Sequence, residues 1–94
     1  MTSDNTALEQ EFTVSNRLGL HARVAAQIVK VASSFEAEIW FVKDKTSVNA
    51  KNILDVLSLQ CPHGCKVRVI SRGADAAAAL KAVAQLFKSK FGET

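Results

Sequence analysis

Between Glu11 and Asn16 the residues alternate, Phe12 and Val14 against Thr13 and Ser15, which is the two-residue period of a strand with one wet face. From Ala22 to Ser34 the period changes. Ala25, Ile28, Val29 and Ala32 recur at helical spacing, while Gln27 and Lys30 fall on the polar side. The run "EAEIWFVKDKTSVNA" returns to alternation and predicts a hairpin turning at Asp44-Lys45, with Ala37, Ile39 and Phe41 on one face and Trp40 and Val42 on the other. Asn52 precedes the short apolar segment "ILDVLSL" and is placed to cap a short helix. After the turn-like "CPHGC", "KVRVIS" alternates again, and Gly73-Ala74-Asp75 offers a second cap before an Ala-rich helix over 76–91 striped by Leu80, Val83, Ala84 and Phe87. The order β-α-β-β-α-β-α predicts an α+β domain, a four-stranded, mainly antiparallel sheet with its helices on one face. On that arrangement Trp40, Val42 and Ile70 share the uncovered face as an apolar strip.

A chain of 94 residues with 48% hydrophobic content holds one core. The aperiodic polar start predicts a flexible extension over 1–10 and a domain over 11–94. A net charge of +3 comes from basic residues interleaved with acidic ones, without the basic stripe of a nucleic-acid binder. No run approaches the roughly 20 apolar residues of a membrane span, and the start lacks the order of a secretory signal. A cytoplasmic protein is expected, and in that compartment Cys61 and Cys65 are expected to remain reduced thiols at the ends of a loop. Cys61, His63 and Cys65 supply only three potential ligands at an unusual spacing, so no metal is expected, and the three intervening residues depart from the thioredoxin-like pair. No glycine-rich nucleotide loop is present and no cofactor is expected.

The chemistry concentrates at "GLHARVAA", where loop gives way to helix. A helix beginning at Ala22 makes His21 its cap, over the unsatisfied amides of the first turn, a place that favours an anion. A neutral imidazole there has a nitrogen lone pair that can attack phosphorus, and a phosphoryl group on it would meet those amides and the Arg23 guanidinium. The same dipeptide also fits a histidine that only caps a helix. No second carboxylate or base is aligned with His21 in the sequence, which argues against a self-sufficient enzyme.

The element order, "NRLGLHARVAAQIVKVASSF", "SVNAKNILDVLSL", a Gly-bearing turn and "GADAAAALKAV" together resemble the histidine-containing phosphocarrier (HPr) family of the bacterial sugar phosphotransferase system, from about Glu11 to Phe91. The resemblance implies an open-faced β-sandwich whose histidine, matched by His21, accepts a phosphoryl group at Nδ1 from enzyme I and donates it to IIA domains of sugar permeases. Arg23 matches the arginine that assists. Both partners would use one surface, here Leu20, Val24, Gln27, Ile53, Leu54 and Leu57, a mainly apolar set expected to be more exposed than a core requires. The implied state is a monomeric carrier without a cofactor, and not an enzyme.

Two positions depart from the family pattern. Val24 replaces the usual proline of "HARPA", restoring an amide that proline lacks. Asn52 stands where many members carry a serine phosphorylated by an ATP-dependent kinase, so it keeps the cap without the hydroxyl. Ser47 and Ser58 lie nearby but do not match that position. A regulatory protein of the same fold, including a nitrogen-related branch, is the alternative to sugar-linked relay.

Overall fold

The computed structural model describes residues 7–94. The strands are β1 (Ala7–Thr13), β2 (Glu38–Lys43), β3 (Thr46–Asn49) and β4 (Lys66–Arg72), and the helices are α1 (Ala22–Ser33), α2 (Ile53–Ser58) and α3 (Ala76–Lys88). All strand pairs are antiparallel, in the order β1-β4-β2-β3. This is the expected α+β, open-faced β-sandwich. Its first strand begins earlier than the alternation suggested, because Ala7 to Glu11 pair with Arg72 to Arg68 at a sheet edge where the side chains remain exposed and show no apolar period. Part of the segment expected as a flexible extension is therefore strand; residues 1–6 lie outside the described residues.

Register assigns the two faces. Val67, Val69 and Ser71 of β4 point to the helices with Ile39 and Phe41 of β2, and all are buried. Ala25, Ile28 and Ala32 of α1 and Ala76, Ala79, Val83 and Phe87 of α3 close the core above them. Phe87 joins the chain's two ends to the middle of the sheet, stacking on Phe12 at 4.6 Å and meeting Phe41 at 5.9 Å and Phe91 at 5.0 Å. On the open face Trp40 is directly opposite Ile70, with Val42 along the same strand, and all three are half-buried as the alternation implied. Charges rim this strip: the Glu38 carboxylate accepts from the Trp40 indole, and Arg68 pairs with Glu9 across the strands.

The helix ends differ from expectation in ways that matter for the site. α3 stops at Lys88, and a tight 3-10 turn over Lys90–Gly92 follows. Phe91 is buried there with φ +57°, a left-handed conformation that packing of its ring holds in place. Asp75 stands at the start of α3 but makes no side-chain cap. Its carboxylate instead accepts from the amides of Glu36 and Ala37, ties the α1–β2 connection down, and is held below its ordinary pKa mainly by the Glu36 amide. Asn52 caps as expected, its Oδ1 accepting from the Asp55 amide at 3.1 Å.

Cys61 and Cys65 form a disulfide, with Cα atoms 5.6 Å apart, where reduced thiols were expected. Compartment reasoning does not register the local turn: the Cys65 amide donates to the Pro62 carbonyl, and Gly64 takes φ +89°, which folds the two cysteines together. This loop presses on Gly19. A Cβ at Gly19 would lie 2.5 Å from the Cys61 carbonyl oxygen and 2.8 Å from Pro62 Cα, and its φ of +73° is left-handed. Gly19→Ala should therefore lower the unfolding free energy by about 2 to 4 kcal/mol, combining backbone strain with a backbone clash. A denaturant midpoint unchanged by the substitution would contradict the close approach.

Candidate functional site

Strand β1 ends at Thr13, and the chain must then turn from the sheet edge to the first residue of α1. Buried Asn16 organises that turn: its Nδ2 donates to the Gly19 carbonyl at 2.7 Å and to Glu93 Oε1 at 3.1 Å. The opposite amide orientation would set Oδ1 against two acceptors, so this orientation is the stable one even though Oδ1 is left without a partner. The turn delivers His21 to the N-cap of α1 with extended backbone (φ −81°, ψ −179°), and its carbonyl accepts the first helical bond from Ala25. The histidine is thus the cap residue, as expected. Its ring makes no cap hydrogen bond.

The ring faces a residue from the other end of the chain. His21 Nε2 lies 2.9 Å from Glu93 Oε1 and 2.8 Å from Oε2. A carboxylate only accepts, so Nε2 is the nitrogen that carries hydrogen in this contact. None of the hydrogen bonds among the described residues engages Nδ1. In the neutral ring this tautomer leaves the lone pair on Nδ1, the nitrogen free to act as a nucleophile. The Glu93 carboxyl is held below its ordinary pKa, first by the His21 hydrogen bond, then by Asn16 and by the charges of His21 and Arg23, against a desolvation penalty.

Glu93 also answers an electrostatic need. α1 has no acidic residue in its first turn and carries Arg23 there, so its positive end is uncompensated by its own sequence. The C-terminal segment brings the missing negative charge and is strapped across α1, with the Gln27 amide donating to the Phe91 carbonyl at 3.0 Å and the Arg17 amide donating to the Thr94 carbonyl at 2.7 Å. Arg17, Leu18, Arg23, Gly92, Glu93 and Thr94 line a shallow cavity beside the histidine. The guanidinium groups of Arg17 and Arg23 there can take an oxyanion.

The residues singled out from the sequence divide into three groups. His21 and exposed Arg23 come together at the start of α1, and Asn52 caps α2 at the surface. Leu20 and Val24 are 5% and 0% exposed, so they belong to the core and correct the expectation of an exposed apolar surface at these two positions. Helical phase explains Val24, which shares a buried face with Ile28. Gln27 is half-buried through its bond to Phe91, and Leu57 packs partly into the core. Only Ile53 (38%) and Leu54 (74%) present apolar surface, joined by Leu18 (67%). Glu93, Asn16, Arg17 and Leu18 were not found by sequence reasoning. No local signal joins Glu93 to a ring 72 residues away.

Comparison with known proteins gives the family. Residues 8–89 match the family model described as the HPr component phosphorylation site of the phosphotransferase system. The phosphocarrier protein HPr of Treponema pallidum is 44% identical over 80 residues, covering 85% of this chain and 91% of its own. The phosphocarrier protein NPr of Shewanella violacea is 40% identical over 88 residues, covering 94% and 97%. Among solved structures, an HPr from Thermoanaerobacter tengcongensis superposes with a TM-score of 0.89 at 42% identity, covering 93% of this chain and 98% of that one. Sheet order, a histidine at the head of the first helix and the extent of these matches lead to one conclusion: the chain belongs to the HPr phosphocarrier family.

Proposed function

We propose that this chain is a cytoplasmic, monomeric phosphoryl relay in which Nδ1 of His21 receives a phosphoryl group from enzyme I and passes it to IIA domains of sugar permeases. The observation that carries the reading is the Glu93 contact at Nε2, which reserves the other ring nitrogen for chemistry. The Nδ1 lone pair forms the P–N bond as the bond between phosphorus and its donor breaks. Nε2 keeps its proton throughout, and the Glu93 carboxylate faces the positive charge that the ring then carries. On donation the P–N bond breaks, the electron pair returns to Nδ1, and a neutral imidazole leaves. Arg23, with Arg17 across the cavity, and the first-turn amides offset the charge of the phosphoryl oxygens.

Docking of both partners is assigned to Ile53 and Leu54 on α2 together with Leu18, whose apolar side chains can be buried on contact. Leu20 and Val24 support this surface from beneath. Asn52 provides no hydroxyl, so a kinase acting on a serine there has no acceptor. The similarity to a nitrogen-branch carrier favours one alternative, a regulatory protein read through its phosphorylation state.

Incubation with enzyme I and phosphoenolpyruvate should give an acid-labile, base-stable phosphate that maps to His21 and is absent from His21→Ala. Arg23→Ala should fold normally and transfer about tenfold to a hundredfold more slowly, the loss of one charged hydrogen bond of roughly 1.5 to 3 kcal/mol. Labelling of His21→Ala equal to that of the parent would remove the histidine from the mechanism.

Glu93→Gln should also slow transfer, and its stability has a defined pH signature. A carboxyl whose pKa is lower in the folded than in the unfolded state stabilises the fold fully above its unfolded pKa and loses that contribution as pH falls through the folded value. The parent should therefore be more stable than Glu93→Gln from neutral pH down to the ordinary carboxylate range, with the gap closing at more acid pH. A gap that persists unchanged in acid would contradict the carboxylate assignment.

Leu54→Glu should weaken binding of both enzyme I and a IIA domain in titrations while leaving the thermal midpoint nearly unchanged, because the side chain is largely in solvent. Equal affinity for both would move the docking surface elsewhere.

A further inference from the structure

The loop closed by Cys61 and Cys65 belongs to none of the steps above, yet its backbone is built into the wall of the site. The Leu20 amide, adjacent to His21, donates to the Cys61 carbonyl at 2.9 Å. Gly19 touches the Cys61 carbonyl and Pro62 backbone with no room for a side chain. At its other end the loop is pinned to the residue after β1, with the Val14 amide donating to the Cys65 carbonyl at 2.8 Å and the Gly64 amide to the Val14 carbonyl at 2.7 Å. The Lys43 ammonium donates to the carbonyls of Leu59 and Gln60, so the segment entering the loop from α2 is held as well. Leu18, Leu20, His21, Gln60, Cys61 and Pro62 line one shallow groove.

We propose that Cys61–Cys65 is a thiol–disulfide exchange site whose redox state sets the order of the Gly19–His21 turn, and so the rate at which His21 exchanges phosphoryl groups. The co-reactant is a dithiol reductant. Its thiolate attacks Sγ of Cys65, the more exposed of the two; the S–S bond breaks and the electron pair leaves on Cys61 Sγ. The second thiol of the reductant then attacks the mixed disulfide, releasing Cys65 and leaving the reductant as a disulfide. Two electrons have passed to the protein and each cysteine takes up one proton. Opening the covalent loop loosens Pro62, His63 and Gly64, all exposed residues, and with them the Cys61 carbonyl that holds the Leu20 amide.

The consequence for transfer rests on the proposed relay, whereas the consequence for the turn does not. The full chain should be prepared oxidised, or reduced with dithiothreitol and desalted, and each form measured for iodoacetamide adducts by mass, for hydrogen exchange at the Leu20 amide, and for the initial rate of His21 phosphorylation by enzyme I. Two adducts should appear only after reduction. Reduction should speed Leu20 exchange roughly tenfold and slow transfer by about threefold to tenfold, since the turn positions the nucleophile. The Cys61→Ser/Cys65→Ser double variant should match the reduced form with or without dithiothreitol, which separates the loop from any effect of reductant on enzyme I. Alkylation without prior reduction, or equal Leu20 exchange in both states, would overturn the proposal. So would equal transfer rates. If neither state accepts phosphate, the relay reading fails, and Leu20 exchange alone decides whether the disulfide orders the turn.

Discussion

A carboxylate from the last turn of the chain against one nitrogen of a histidine at the first turn of α1 is the contact around which the site is arranged. It settles which nitrogen holds hydrogen, supplies negative charge to a helix terminus that has none of its own, and needs the C-terminal segment to lie across α1. The rest of the fold serves that placement. Phe91 is buried beside Phe87, which stacks on Phe12 and leans on Phe41, so the segment carrying Glu93 is anchored in the same aromatic cluster that joins β1 and β2 to α3. Asn16, buried below, bonds both the Gly19 carbonyl and Glu93 and thereby couples the turn before the histidine to its carboxylate partner.

The second constraint is backbone against backbone. Gly19 allows the turn to approach Cys61 and Pro62, and the Leu20 amide completes the contact. Because the loop after α2 and the turn before α1 share this seam, α2 and the histidine are mechanically close although their residues are far apart in sequence. Helix α2 also packs against α1. For the proposed relay, a seam of this kind would leave little conformational ordering to be done on contact with a partner.

The fold was legible where one period dominated. Ile39 and Phe41 alternate with Trp40 and Val42, and the structure buries the first pair and leaves the second half-covered on the open face. The capping role of Asn52 and the position of His21 at the head of α1 follow from helix-end chemistry that is local in sequence. What was not legible is non-local or depends on exact phase. The start of β1 at Ala7 is decided by pairing with β4, and its edge position removes the alternation that would announce it. Leu20 and Val24 look like surface apolar residues in a motif read linearly, but one turn of helix and the Cys61 contact carry them inward. Glu93 lies in a polar tail with no pattern of its own, and the disulfide depends on the geometry of the turn at Pro62–Gly64, which neither cysteine count nor compartment reveals.

The most direct test is nitrogen-15 NMR of the His21 ring, before and after phosphorylation by enzyme I. With Glu93 accepting from Nε2, the neutral resting ring should show a protonated Nε2 and an unprotonated Nδ1, and the phosphorylated ring should show phosphorus coupled to Nδ1 while Nε2 keeps its hydrogen. A resting ring protonated at Nδ1, or phosphorus bonded to Nε2, would contradict the account.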